Sequence, residues 1–378
     1  APAQDIKTLR AGRSCFFRGR AVPDVTTHPV ISVAVRHASI DYSLAEDPRC
    51  RDLCVATDGS GDYSAYYTVP TSPDDLRKRS ALIELATRHG ATLVILIKEI
   101  GTDALCGLRR VAPLVDAAHG TEYTDRVQRY YEHCKTGDLA LAVAQTDVKG
   151  DRSLGPSAQS DPDLYLRIVE RRSDGIVVKG AKAHTSVSPN ANGLIVVPAR
   201  AMGEADGDYA VSFAIPIDTP GLLLLASPYD STALQASARE NPISAAHKMM
   251  ETTTVFDNVF VPWDRVFLSG ETKFAGLLAL AFVEHHRFTA ISYKLPLVDA
   301  LVGSALLMAE MNGIAKAGHV RDKLVHLISY AETLRGLTHH AAMMGKPREA
   351  GVVVPDPLYV NMAKYHFAHG YHEAVRDV

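Results

Sequence analysis

Two polar clusters beside short β-branched runs are the residues of this sequence best suited to ligand chemistry. Their members share charged, amide or hydroxyl side chains. The first cluster comprises Gln145, Thr146, Asp147, Lys149 and Arg152, and the second comprises Lys182, His184 and Thr185. Strands fix the positions of the loops at their ends, so two such clusters can face one ligand.

The apolar pattern around these clusters divides the chain into three parts. Residues 1–142 show mainly helical spacing, and Ser72-Pro73-Asp74-Asp75 is typical of a helix start. Residues 143–272 carry short β-branched runs with no helix between them, and residues 273–378 return to long apolar helices. The sequence therefore predicts an α+β fold with an N-terminal helical domain, a central antiparallel β-barrel and a C-terminal helical bundle. We expect the bundle to be incomplete within this chain.

Composition favours a soluble protein over a nucleic-acid or membrane protein. The formal net charge is −3, so the basic excess of a nucleic-acid binder is missing. The longest apolar run, residues 274–283, is about half of the ~18 residues that a membrane span needs. The first residues contain no apolar signal core. We therefore expect a cytoplasmic protein with no nucleic-acid or membrane partner.

The cysteines predict neither a disulfide framework nor a metal site. They number five, at positions Cys15, Cys50, Cys54, Cys106 and Cys134. An odd, scattered set argues against disulfides, and the pair Cys50 and Cys54 supplies only two of the four ligands of a structural metal site.

Longer runs around the two clusters resemble a known family. The runs are 146–152 (TDVKGDR), 168–184 (IVERRSDGIVVKGAKAH), 201–213 (AMGEADGDYAVSF), 255–262 (VFDNVFVP) and His286-Arg287. They resemble the 4-hydroxybutyryl-CoA dehydratase branch of the 4-hydroxyphenylacetate 3-hydroxylase family, and the resemblance covers nearly the whole chain. It implies an acyl-CoA dehydrogenase-like fold, non-covalently bound FAD and a homo-oligomer, either a dimer or a tetramer.

Two chemistries occur in the family that this chain resembles. The dehydratase holds a [4Fe-4S] cluster beside FAD, with ligands from a C-x3-C pair and from a His and a Cys seven residues apart. The monooxygenases lack a cluster and use reduced flavin, supplied by a separate reductase, with O2. Here only Cys106 remains of the cysteine pair, and Tyr293 stands where the Cys that follows His286 is expected. Two ligands cannot hold a cubane cluster, so we predict none.

The resemblance also assigns site residues. It implies that FAD lies against the two polar clusters, with Thr289 and Ser292 near the flavin ring. It places Glu251 and His286 at the acid/base positions of the dehydratase. Tyr293 lies about two helical turns after His286 and shares its helix face, where it either fills the volume vacated by the cluster or transfers a proton.

Three hypotheses for the function remain open at this point. The first is a two-component FAD-dependent monooxygenase that hydroxylates an aromatic or carrier-bound small molecule, which Trp263 and the missing cluster ligands favour. However, Thr102 and Cys106 stand where the phenol-orienting Arg and Tyr of the hydroxylases are expected. The second is a redox-neutral acyl-CoA dehydratase or isomerase, and the third is a non-catalytic family member that serves as an assembly partner.

Overall fold

The computed structural model describes residues 6–10, 12–228 and 239–378. The first five residues lie outside this range. The prediction that the N-terminus contains no apolar signal core depends partly on them. The chain forms two compact units: the first contains Ala1–Thr68 and Ile95–Val283, and the second contains Val69–Val94 and Glu284–Val378. The division into residues 1–142, 143–272 and 273–378 stays a prediction.

Strands and helices occur in groups along the chain. The helices named below are α1 (Ile31–Ala38), α2 (Ile40–Glu46), α3 (Arg51–Cys54), α4 (Pro73–His89), α5 (Glu99–His119), α6 (Tyr123–Gly137), α7 (Thr272–Ser292), α8 (Leu295–Met311), α9 (Gly318–Met343) and α10 (Pro357–Asp377). The strands are β1 (Ser14–Phe17), β2 (Arg20–Val22), β3 (Val55–Asp58), β4 (Gly61–Ser64), β5 (Leu141–Ala144), β6 (Arg167–Arg171), β7 (Gly175–Ser186), β8 (Gly193–Val196), β9 (Val211–Pro216), β10 (Leu222–Ala226), β11 (Glu251–Pro262), β12 (Val266–Ser269), β13 (Lys346–Pro347) and β14 (Val353–Val354).

The strands of the first unit confirm the mixed α+β class but not a closed antiparallel barrel. Among the described residues they form a six-stranded sheet in the order β2-β1-β10-β11-β7-β6 and a four-stranded sheet in the order β12-β9-β8-β5. Both sheets are open, and each contains one parallel pair, β1 with β10 and β5 with β8. Every residue of β5 and β8 is buried, which is typical of parallel strands covered on both faces.

The longest ladder pairs β7 with β11 and explains an unusual run of threonines. Thr252 lies opposite Thr185, and Thr254 lies opposite Lys182. The hydroxyl groups of Thr252 and Thr254 are 2.9 Å apart, and Ser188 Oγ lies 2.7 Å from Thr252 Oγ1. These side chains are buried, and the hydroxyl groups of Thr252, Thr254 and Ser188 bond to one another inside the first unit rather than to solvent.

The second unit is a helical bundle, as predicted for the end of the chain. Its helix α4 begins at the expected cap: Ser72 Oγ accepts a hydrogen bond from Asp75 N, and Asp75 Oδ2 accepts one from Ser72 N. The helices α4, α7, α8, α9 and α10 share one apolar core, in which Leu76, Ile291 and Leu334 are fully buried.

One helical stretch is long and apolar enough to cross a membrane by length and composition. It covers Thr272–Met311, and its most apolar window has a mean hydropathy of 1.4. Core helices of soluble proteins pass the same test, so the feature is weak evidence for a membrane span. The expectation of no membrane partner therefore stays a prediction.

Candidate functional site

Lys182 joins the two predicted polar clusters. Its ammonium lies 2.8 Å from Asp147 Oδ1 and donates hydrogen bonds to the carbonyl oxygens of Gln145 (2.9 Å) and Val197 (3.2 Å). The two charged side chains are almost completely buried, at 4% and 2% exposure. A backbone hydrogen bond of 2.7 Å from Ala183 N to Thr146 O continues the contact. The structure therefore brings the two clusters together, as the sequence predicted.

The rest of the first cluster is a tight and more exposed loop. Lys149 and Gly150 both have positive φ, at 82° and 55°. Gln159 closes the loop, because its side chain accepts a hydrogen bond from Asp151 N and donates one to Asp151 O. Arg152 is exposed, whereas Lys149 is half-buried. Both cations therefore lie on the outer side of the segment that Lys182 anchors.

Glu251 lies beside the second cluster because β11 begins where β7 ends. Glu251 is paired with Ser186, whose hydroxyl donates a 2.6 Å hydrogen bond to Glu251 Oε1. Glu251 Oε2 is buried and has no hydrogen-bond partner among the described residues. Burial raises the pKa of this carboxyl, and the Ser186 hydroxyl and the charge of His184 oppose the rise. A buried carboxyl with one unpaired oxygen is suited to exchange a proton with a ligand.

Thr185 supplies a second unpaired polar atom at the same strand end. Its side chain is fully buried, and Thr185 Oγ1 lacks a hydrogen-bond partner within the described part of the chain. The neighbouring His184 is exposed and has a φ of 55°, a left-handed conformation that is uncommon outside glycine. Buried polar groups are normally hydrogen-bonded, so this strand end is where a ligand would complete the bonding.

The other predicted residues lie in the second unit, three of them on α7 and Tyr293 directly after it. His286 and Tyr293 are half-buried, and Thr289 is fully buried. Ser292 Oγ donates to the Phe288 carbonyl (2.9 Å) and accepts a hydrogen bond from Ser80 (2.8 Å). The Ser292 hydroxyl therefore connects α7 to α4, and this geometry gives no support to its predicted cofactor contact.

Lys294 is a candidate functional residue that the sequence reasoning did not single out. Its ammonium lies 4.5 Å from the centre of the Tyr293 ring and 5.0 Å from that of Phe367. Desolvation and the charge of Lys364 lower its pKa from the ordinary 10.5 to about 8. A lysine with a pKa near neutrality can act as a general base or acid. Its position directly after Tyr293 was visible in the sequence, but its burial beside Phe367 was not.

We expect Lys294 to make stability rise with pH above about 8. Between about 8 and 10.5 the unfolded chain holds a proton on this lysine that the folded chain has lost. The free energy of unfolding should therefore increase across this range, and Lys294→Met should remove that increase. Urea titrations at pH 7.5, 8.5 and 9.5 measure it. Lys364→Met, which removes a repelling charge, should move the onset to higher pH; an unchanged slope in Lys294→Met would contradict the assignment.

All five cysteines are free, and four of them are buried. Cys106 lies buried in α5, and Thr102 in the same helix donates its hydroxyl to the Lys98 carbonyl. Burial raises the pKa of Cys15 to about 11 and those of Cys54 and Cys134 to about 12. Among the described residues no group of three or more His, Cys, Asp or Glu side chains is placed to hold a metal ion.

Comparisons with known proteins connect these geometries to a family. Residues 2–268 match the family model "4-hydroxyphenylacetate 3-hydroxylase N terminal", and residues 275–378 match "4-hydroxyphenylacetate 3-hydroxylase C terminal". The 4-hydroxybutyryl-CoA dehydratase/vinylacetyl-CoA-Delta-isomerase of Clostridium aminobutyricum is 36% identical over 99% of this chain and 77% of its own length. The 4-hydroxyphenylacetate 3-monooxygenase oxygenase component of Thermus thermophilus is 29% identical over 90% of this chain and 70% of its own length.

Solved structures of both activities share the fold. An oxygen-tolerant 4-hydroxybutyryl-CoA dehydratase from N. maritimus has a TM-score of 0.93 at 28% identity and covers the whole of this chain and 75% of its own. The oxygenase component of a 4-hydroxyphenylacetate 3-monooxygenase, solved with FAD, has a TM-score of 0.88 at 27% identity, covering the whole of this chain and 78% of its own. The resemblance and the acyl-CoA dehydrogenase-like fold are thus confirmed: this chain belongs to the 4-hydroxyphenylacetate 3-hydroxylase family.

Proposed function

We propose that this protein is an FAD-dependent monooxygenase of the two-component type, which takes reduced FAD from a separate flavin reductase. The observation that carries the proposal is the strand end of β7 and β11, where Thr185 Oγ1 and Glu251 Oε2 are buried and unpaired among the described residues. A flavin ring carries carbonyl acceptors, which can complete the Thr185 hydroxyl, and Glu251 Oε2 is then left for a substrate. The residues present fit the cofactor that related structures contain.

The first unit would hold FAD through its two polar clusters. Thr185 and His184 offer a hydroxyl and an imidazole at the end of β7, and the Gln145–Thr146 segment offers amide and hydroxyl groups beside it. Lys149 and Arg152 supply positive charge suited to the diphosphate of FAD. When bound in its reduced form, FAD supplies the electrons with which O2 is activated.

The protein's own groups would handle protons and substrate orientation. Glu251 is held by the Ser186 hydroxyl, so that one carboxyl oxygen is fixed and the other is left for a substrate hydroxyl or amine. Because its pKa is raised, this carboxyl can release or accept a proton closer to neutral pH than a solvated glutamate. His286 on α7 and Tyr293, directly after that helix, are the further candidates for acid/base or orienting roles.

The alternative is a redox-neutral acyl-CoA dehydratase or isomerase. Two observations favour it: the 36% identity to the clostridial dehydratase, and the lowered pKa of Lys294 beside Tyr293. A flavin site with a general base can shift a double bond in an acyl thioester without net electron transfer. Tyr293, which stands where the resemblance expects a cluster cysteine, favours the monooxygenase, because the cluster chemistry would need that ligand.

The experiment that tests the proposal compares turnover with and without O2. Recombinant protein is titrated with FAD, analysed for iron, and then mixed with FADH2, O2 and a panel of phenols, or anaerobically with oxidised FAD and 4-hydroxybutyryl-CoA. We expect FAD binding, no stoichiometric iron, and O2-dependent formation of a hydroxylated product. Anaerobic turnover of the thioester would overturn the monooxygenase proposal, and about four irons per chain would overturn the cluster-free prediction. Failure to bind FAD would favour a non-catalytic member.

Assembly and location remain part of the same proposal. We infer a cytoplasmic homodimer or homotetramer that meets its flavin reductase only transiently, and a small-molecule substrate whose identity the residues around Thr102 and Cys106 help to set. Sedimentation velocity with and without the reductase measures both forms of association.

A further inference from the structure

The buried Lys182–Asp147 pair differs from an ordinary ligand-binding lysine. A lysine ammonium carries three N–H donors. Here its three acceptors are Asp147 Oδ1, the Gln145 carbonyl and the Val197 carbonyl, at 2.8, 2.9 and 3.2 Å. Each donor is therefore used inside the protein, and the positive charge is neutralised by an adjacent carboxylate.

The Lys182 ammonium connects segments that follow two different strands. Lys182 belongs to β7 in the six-stranded sheet, whereas Gln145 follows β5 and Val197 follows β8 in the four-stranded sheet. Asp147 continues the connection, because its Oδ1 also accepts a hydrogen bond from Leu166 N at 3.2 Å, just before β6. The pair thus fixes the backbone of the Gln145–Asp147 segment against both sheets of the first unit.

We propose that Lys182 and Asp147 are positioning residues: they hold the Gln145–Thr146 segment in place for FAD and make no direct contact with it. The proposal rests on the proposed function in assuming that FAD is the ligand. It assigns cofactor contact to the backbone and uncharged side chains of the segment. The flavin would then contact a surface with no net charge beside Lys182, because the lysine is neutralised by Asp147.

Removing one partner should be more harmful than removing both. A lone buried charge is left without compensation, whereas a shape-matched apolar pair can replace a buried ion pair with little loss. We therefore expect Lys182→Met to weaken FAD binding by about tenfold or more, and the double variant Lys182→Met/Asp147→Leu to recover most of that affinity. Lys179→Met is the matched control, since Lys179 lies on the same strand in an exposed ion pair with Asp163.

Two measurements are made, and the second does not depend on whether FAD binds. FAD affinity is measured by flavin fluorescence, and amide hydrogen exchange without FAD is followed at Ala183 and Leu166, whose N–H groups bond to Thr146 O and Asp147 Oδ1. Lys182→Met should lose protection at both amides, and Lys182→Arg should keep more of it. If FAD affinity falls equally in the single and double variants while protection stays as in the wild type, Lys182 contacts FAD directly and the proposal is wrong. If the wild type binds no FAD, the proposed function fails, and the exchange data still decide whether the pair holds the segment.

Discussion

Glu251→Gln is expected to lower turnover by about 10²- to 10⁴-fold, the usual contribution of a positioned general acid or base. The amide keeps the shape of the carboxyl and can still accept the 2.6 Å hydrogen bond from Ser186. It cannot take or release a proton in the pH range of the reaction. The loss should therefore appear in kcat, while FAD affinity changes little. Steady-state kinetics in whichever assay shows turnover, with FAD binding measured in parallel, provide the comparison.

The same substitution should not cost stability at neutral pH. Because burial raises the pKa of Glu251, the folded state binds more protons than the unfolded state between the ordinary 4.5 and the raised value. The stabilising contribution of this group is present below pH 4.5 and is lost as the pH rises through the folded pKa. A neutral amide avoids that loss, so Glu251→Gln should unfold at the same urea concentration as the wild type or at a higher one.

Two further variants separate a proton-transfer role from a structural one. Glu170→Gln, in an exposed ion pair with Arg172 on β6, is the control and should retain full turnover. Ser186→Ala removes a hydrogen bond that lowers the pKa of Glu251, so the limb of the pH–rate profile that Glu251 sets should move to higher pH: the acid limb if it is the base, the alkaline limb if it is the acid. Full turnover by Glu251→Gln, or an unmoved limb in Ser186→Ala, would rule out Glu251 as the acid or base.

The sequence predicted which polar residues meet but not what each of them does. Thr146, Asp147, Lys182 and Thr185 were chosen as one site, and the structure joins the two clusters through the contact between Asp147 and Lys182 and the hydrogen bond from Ala183 N to Thr146 O. The third N–H donor of the Lys182 ammonium is taken up by the Val197 carbonyl, which follows a strand of the other sheet. Residue spacing in the sequence does not predict this contact, because the contact depends on how the two sheets meet.

The same limit explains the other differences between expectation and structure. Strands were expected in residues 143–272, whereas β1 to β4 lie in the stretch that was predicted to be mainly helical. The pairing of the strands could not be predicted, because parallel partners such as β5 and β8 are far apart in sequence. Ser292 was predicted to lie near the flavin ring, yet its hydroxyl is hydrogen-bonded to Ser80, more than two hundred positions earlier in the sequence. The pKa of Lys294 depends on burial beside Phe367 and on the charge of Lys364 from α10. Local pattern gives the elements, whereas the electrostatics of each group come from its distant neighbours.

Gly180→Ala is expected to destabilise the first unit by about 3 kcal/mol or more, through backbone strain and overpacking together. Gly180 lies in β7 two residues before Lys182 and has a φ of 135°, which L-residues rarely adopt. A Cβ atom at this position would lie 2.7 Å from both Leu166 Cα and Tyr165 O. These are backbone atoms, so they cannot move away as a flexible side chain would.

The damage should reach the candidate site because the displaced backbone carries one of its hydrogen bonds. Leu166 N donates to Asp147 Oδ1, so moving Leu166 away from β7 would loosen the Gln145–Asp147 segment and lower FAD affinity as well as stability. Urea denaturation and FAD titration measure the two effects. Gly207→Ala is the matched control: a Cβ there meets nothing within 4 Å, and the change should stay within about 0.5 kcal/mol. If Gly180→Ala unfolds at the same urea concentration as Gly207→Ala, the close approach of β7 to Tyr165 and Leu166 is not what fixes this part of the site.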